Sequence, residues 1–343
     1  MTLNDPMNFK INIAIAILAA AGMVRGEEAA ITEFKRLAEK ASLQGETVIE
    51  GQDGWYFFMP ELRHLGAGPF WGEDAFLVSR AQREDAMDPL PAILAFHEAL
   101  EARDVQLILA PVPPKAVVYD HKLPGRDDSS FAGRPDPHHQ AFYDLLRSEG
   151  ITVLDLTQTF RDGIDHERGP LYCLQDTHWS GVACVIAAET IAEKVAPLLT
   201  DMERQEFDTK WRSIEITGDL WRMLDEPSLA KEELPVRAVT GAAPDPDSPV
   251  LLLGDSHTLV FQAGGDMHYS GAGLADQLAV TLGVPVDLIG VRGSGATPAR
   301  INLFRRTQRN PDYWDNKQVV IWVFAAREFT ESDGWRIVPI ARD

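Results

Sequence analysis

Between residues 89 and 324, short apolar runs alternate with helical stretches, and this alternation leaves few folds open. The runs at 105–110, 151–154, 250–253, 286–289 and 319–324 read as strands. The intervening segments 89–103, 137–149 (stopped by Gly150), 180–199, and those near 271–282 and 297–307 read as helices. Strands that are apolar almost throughout belong in a parallel sheet covered on both faces. The expected fold is therefore α/β, a three-layer α/β/α arrangement with a central, mainly parallel sheet. Ahead of it, 27–43 reads as an amphipathic helix and 51–58 as a turn feeding an aromatic strand, the pattern of a hairpin. Residues 203–248 are polar, proline-dotted and aperiodic, and are expected to be an insertion or cap outside the core. No internal repeat or low-complexity tract is present.

Charge narrows the partners. The formal net charge is −20, with no long basic run, which argues against nucleic acid. It also fits poorly with a strongly anionic polymer, unless a local groove reverses the sign. At the N-terminus Lys10 precedes an apolar run over 11–21, short for a membrane span but fitting for a secretory leader. Ala19 and Ala21 supply the small residues of a cleavage site; a buried N-terminal helix is the alternative. The expected organisation is a leader at 1–21 and a single domain over 22–343, exported to the periplasm, the leader being either cleaved or kept as an inner-membrane anchor. In an oxidising compartment Cys173 and Cys184 form either one short-loop disulfide or two core thiols. No metal-ligand spacing occurs, so neither metal nor cofactor is expected.

Open α/β sheets do their chemistry outside the carboxyl ends of the strands. One such end is Gly254-Asp255-Ser256-His257. A serine hydroxyl needs a base to take its proton, and the base needs an orienting partner. His257 is adjacent, and successive side chains diverge. His138 and His139, in a proline-rich loop, are expected to be exposed, and His97 and His166 have apolar-face or loop explanations. The remaining candidate is Gln175-Asp176-Thr177-His178-Trp179-Ser180, where Asp176 and His178 are two residues apart and, in an extended segment, leave the same face. Asp176, His178 and Ser256 are the candidate catalytic set. Candidate oxyanion or substrate-binding residues are the Ser256 N–H, Gly293 and Gly295 of a glycine-rich turn, Arg327, Lys115 and Trp179. Apart from the serine N–H, each has a plain alternative: an ordinary βα loop, a salt bridge to Glu328 or a nearby acid, a solvated lysine, and core packing beside His178.

The ordered set QDTHWS, GDSH after an apolar strand and VVIWVFAARE resembles the AlgX/AlgJ-like alginate O-acetyltransferases, periplasmic SGNH-hydrolase-like enzymes. The resemblance extends to Asp53–Phe57, Pro111–Lys115 with Tyr119, Thr217–Leu220 and Gly293–Ala296, about residues 50 to 330. It implies an SGNH-like fold, the triad Asp176, His178 and Ser256, a polysaccharide acceptor, and a membrane-bound O-acyltransferase as the acetyl source. His257 departs from the phenylalanine more usual after the serine, a change that either alters the donor-side pocket or packs differently. The same residues would serve a periplasmic carbohydrate acetyl-esterase, and an inactive glycan-binding or secretion-complex scaffold is the third reading. Charge alone favours a neutral or amino-sugar exopolysaccharide over alginate.

Overall fold

A computed structural model describes residues 26–342, apart from 127–128, 200–201, 225 and 227; the leader expected at 1–21 lies outside the described residues. A helix over 26–44 leads into an antiparallel hairpin, β1 (Val48–Glu50) with β2 (Tyr56–Phe58). Five further strands, β3 (Gln106–Val112), β4 (Thr152–Val153), β7 (Val250–Gly254), β8 (Asp287–Gly290) and β9 (Val319–Ala325), form one sheet in the order β4-β3-β9-β7-β8. Every neighbouring pair in it is parallel.

Alternation along the strands divides the core in two. Val319, Ile321 and Val323 of β9 face a layer containing Phe34 of the first helix, Val182 of the helix Gly181–Val195 and Leu278 of the helix Leu274–Leu282. Val320, Trp322 and Phe324 face the opposite layer, with Phe96 of Pro89–Glu101, Phe142 of Pro137–Ser148 and Leu303 of Thr297–Arg309. Burial on both faces is why these strands read as unbroken apolar runs. The helix starts follow local chemistry: Asp88 accepts from the Leu90 N–H, and Ser180 Oγ from those of Val182 and Ala183.

The segment expected to lie outside the core is largely regular. β5 (Asp208–Ile216) and β6 (Glu232–Thr240) pair antiparallel along nine residues each, with a short helix Asp219–Leu224 between them. β6 buries Leu234 and Val236 in the main core, while β5 is mostly solvated. The period-two pattern is confined to one strand and is interrupted by Pro235, so the segment looks aperiodic. Gly181 fits it to the body of the domain, since a Cβ there would lie 2.7 Å from the Pro235 carbonyl oxygen.

Crossovers from β3 and β7 run to opposite edges of the sheet, so a crevice opens at the carboxyl ends beside the central strand β9. Gly254 closes β7 there, and a Cβ on it would lie 1.9 Å from the Val323 carbonyl oxygen. Gly254→Ala is expected to lower stability by about 3 kcal/mol, read as a fall in the denaturation midpoint at unchanged m-value.

Candidate active site

Ser256 begins a single 3₁₀ turn directly after β7, with Asp255 as its cap. The Asp255 carboxylate accepts from the His257 N–H (2.8 Å) and, across the crevice, from the Ala325 N–H at the end of β9 (2.7 Å). His257 Nδ1 is 3.1 Å from Asp255, and the ring is buried. His257 therefore packs beneath the serine and does not line the cleft, which decides between the two readings of that departure.

The partner segment lies between β4 and the helix Gly181–Val195. His178 Nε2 lies 2.7 Å from Ser256 Oγ, and Nδ1 lies 2.5 Å from Asp176 Oδ1. Because a carboxylate only accepts, Nδ1 carries the proton and Nε2 is free to accept from the hydroxyl. The Asp176–His178 pair does not lie in an extended strand, as the spacing suggests. Asp176 instead folds back to accept from the His178 N–H at 2.9 Å, and Oδ2 accepts from the Asp219 N–H (2.8 Å) and from His268 Nε2 (2.9 Å). Burial opposes charge on Asp176, but the neighbouring His178 and His268 hold it well below the usual carboxylate range. For His178 burial works downward, and the Asp176 charge, helped by Asp219 and Asp255, carries it above the ordinary imidazole value.

Two residues anchor this segment from below. The Lys115 ammonium is buried and donates to the carbonyls of Tyr56 (2.6 Å), Leu174 (2.9 Å) and Asp176 (3.2 Å). Glu232 of β6 accepts from the Leu174 and Gln175 N–H groups at 2.7 and 3.1 Å. Lys115 is thus neither a groove residue nor a solvated one. Trp179 is likewise fully buried, donating to the His257 carbonyl at 3.2 Å, and has no face to offer a sugar. His139, expected to be exposed, is buried with its Nε2 2.7 Å from that of His64. Cys173 and Cys184 are both buried and unpaired with each other.

Above Ser256 and His178 opens a cleft of about 620 Å³ lined also by Arg292, Gly293, Arg327 and Glu328. The Ser256 N–H has no hydrogen-bond partner among the described residues, so it is free to meet an oxyanion. Gly293 sits at the rim with φ 89°, a conformation that favours glycine. Gly295 is buried, and a Cβ on it would lie 2.7 Å from the Asp255 nitrogen; it seats its turn against the serine turn and does not line the cleft. Arg327 makes no ion pair among the described residues, Glu328 included, and lies 5.5 Å from the Phe58 ring centroid. Glu328 accepts instead from Ser294, and burial pushes its carboxyl up to about 7. A carboxyl with a raised folded-state value stabilises most when protonated in both states; that gain is lost as pH rises from about 4.5 to about 7. Glu328→Gln should flatten this decline and leave the variant more stable than wild type at pH 8, by on the order of 3 kcal/mol at most, measured by denaturant titration across pH.

Asp176, His178 and Asp219 present donor atoms within 4.8 Å of one another. Asp219 is also held by Thr177, whose N–H (2.7 Å) and hydroxyl (2.5 Å) donate to its carboxylate. A metal ion there would have to displace bonds already made. Asp219, Glu232 and His268 carry no spacing signal in the sequence; only the Thr217–Leu220 block hints at the first.

The family model described as "SGNH hydrolase-like domain, acetyltransferase AlgX" matches residues 48–326. The chain is 26% identical over 190 residues to "Probable alginate O-acetylase AlgJ" of Pseudomonas putida, and 25% identical over 194 residues to the protein so named in Pseudomonas syringae. These alignments cover 55% of this chain and 44% of each relative, so the chain spans less than half of the curated relatives it matches. Among solved structures, the O-acetyltransferase domain of Pseudomonas putida AlgJ superposes with a TM-score of 0.61 at 23% identity, covering 82% of this chain and 92% of that one. Pseudomonas aeruginosa AlgX gives 0.58 at 17% identity, covering 81% and 62%.

Proposed function

Because the chain belongs to the AlgX family of SGNH hydrolase-like domains, we propose that it is a serine-dependent O-acetyltransferase that modifies a polysaccharide. The observation that carries this is the unbroken hydrogen-bonded series Asp176–His178–Ser256 opening onto the cleft. Ser256 Oγ attacks the acetyl carbonyl while its proton passes to His178 Nε2. The Ser256 N–H and the Gly293 turn receive the oxyanion. As the carbonyl reforms, the leaving group departs with the proton from His178, and acetyl-Ser256 remains. An acceptor hydroxyl then gives its proton to His178 and attacks the acetyl group. Collapse returns the proton to Ser256 and releases the acetylated sugar. Throughout, Asp176 holds the imidazole in the required tautomer and stabilises its cationic form.

The same acyl-enzyme would yield acetate if water resolved it, so the choice between transferase and esterase lies in the acceptor. The names of the curated relatives favour transfer. Arg327, uncommitted in the cleft, is available for an acyl or sugar oxygen. An exported chain would meet no acetyl-CoA, and so would draw its acetyl group from a membrane-bound O-acyltransferase. Among the described residues no helix is long and apolar enough to cross a membrane.

The test is to supply p-nitrophenyl acetate with and without oligosaccharides, both uronate and neutral, and to weigh the sugars by mass spectrometry. Acetylated sugar is expected. Acetate release alone would make the protein an esterase, and no turnover would leave the scaffold reading. Preferential acetylation of uronates at low salt would overturn the neutral-polymer preference drawn from net charge.

A further inference from the structure

Asp176 is met by a second imidazole, and the backbone adopts an uncommon shape to bring it there. His268 lies in the loop that follows the serine turn, with φ 72° and ψ −50°. The Tyr269 N–H donates to the Met267 carbonyl across it at 2.9 Å. This is a γ-turn of the positive-φ form, rare and strained, and costly for any residue but glycine. The rest of the loop holds it in place: the Phe261 N–H donates to the Met267 carbonyl (2.8 Å), and the Gly264 N–H to that of Tyr269 (2.9 Å). The His268 side chain is 5% exposed, and its Nε2 lies 2.9 Å from Asp176 Oδ2.

We propose that His268 is a positioning residue for the triad. Its Nε2–H fixes the rotation of the Asp176 carboxylate, so that Oδ1 faces His178, and draws part of the carboxylate's charge away from His178. The proposal rests on the reading of Ser256 as the nucleophile. Without the His268 bond, Asp176 holds the His178 imidazolium more strongly, and the free base appears at higher pH. The strained turn follows as a backbone cost tolerated for the placement of one N–H.

The experiment compares wild type, His268→Gly and His268→Gln in acetylation of Ser256 by p-nitrophenyl acetate, followed across pH and by peptide mass. Glycine relieves the turn while deleting the imidazole; glutamine offers an amide N–H near the place of Nε2. For His268→Gly the expected result is acetylation slower by on the order of tenfold, at unchanged KM, with the ascending pH limb displaced upward. Its melting temperature should stay close to that of wild type, strain relief offsetting the lost bond. His268→Gln should recover most of the rate and the wild-type limb. A glycine variant with the wild-type rate and limb overturns the proposal. So does a joint fall of melting temperature and rate that glutamine does not rescue, which would mark a merely structural residue. Failure of wild type to acetylate at Ser256 would instead sink the nucleophile assignment beneath it, and the two failures are told apart by the wild-type sample alone.

Discussion

Ser256→Ala should reduce turnover of p-nitrophenyl acetate by about 10⁴-fold or more, while leaving the thermal transition nearly unmoved. The size follows from the lack of a substitute. Thr258 Oγ1 is committed to the Asp255 carbonyl at 2.7 Å, and the Ser294 hydroxyl to Glu328. His257 is buried against Asp255 and does not line the cleft. What survives would be oxyanion stabilisation and binding alone. Peptide mapping provides the check: wild type should carry an acetyl group on the peptide containing Ser256, and the variant none. Undiminished turnover, or an acetyl group found elsewhere in the variant, would remove Ser256 from its role.

Asp176→Asn should cost nearly as much, on the order of 10⁴-fold in kcat, and it should also destabilise. An asparagine amide facing His178 favours the tautomer with Nε2 protonated, which has no lone pair for the Ser256 hydroxyl. Four N–H donors converge on the native carboxylate, from the His178 backbone and ring, the Asp219 backbone and the His268 ring. Asparagine has one acceptor oxygen to meet them, so at least one buried donor loses its partner. The pH behaviour carries a sign. Asp176 is held below its usual value, so its contribution to stability is present above about pH 3.9 and is lost as pH falls through the depressed value. His178 is held above its ordinary value, so the wild-type rate should climb on a limb lying above about pH 6.5, and loss of the Asp176 charge should move that limb down. Stopped-flow acetylation across pH reads both effects.

The sheet is legible in the amino-acid pattern because its strands bury both faces; Val319–Ala325 has no polar position to confuse it with a loop. The triad is legible for a different reason. A serine at a strand end and an aspartate two residues before a histidine are local patterns, and their meeting, 78 positions apart, is what the fold supplies. Lys115 is misread because lysine after a strand is ordinarily solvated; nothing local announces three carbonyls converging on its ammonium. Trp179 stays divided between sugar stacking and core packing in the sequence because its contact with His257 is likewise distant; the structure shows the packing. His268 is silent for a third reason: its place depends on a strained turn that no propensity favours. The ribbon β5–β6 escapes notice because one strand faces solvent and the other carries a proline.

That ribbon has a consequence for protein engineering. It would seem the natural segment to exchange between homologues when redirecting acceptor choice, since it is polar and peripheral in sequence. Yet the Asp219 amide, just beyond β5, grips Asp176, and Glu232 at the start of β6 secures the two amides ahead of it. A chimaera that replaces the whole excursion would dismantle its own proton relay. Grafts confined to the outer reaches of the two strands, 208–211 and 237–240, would leave both grips intact.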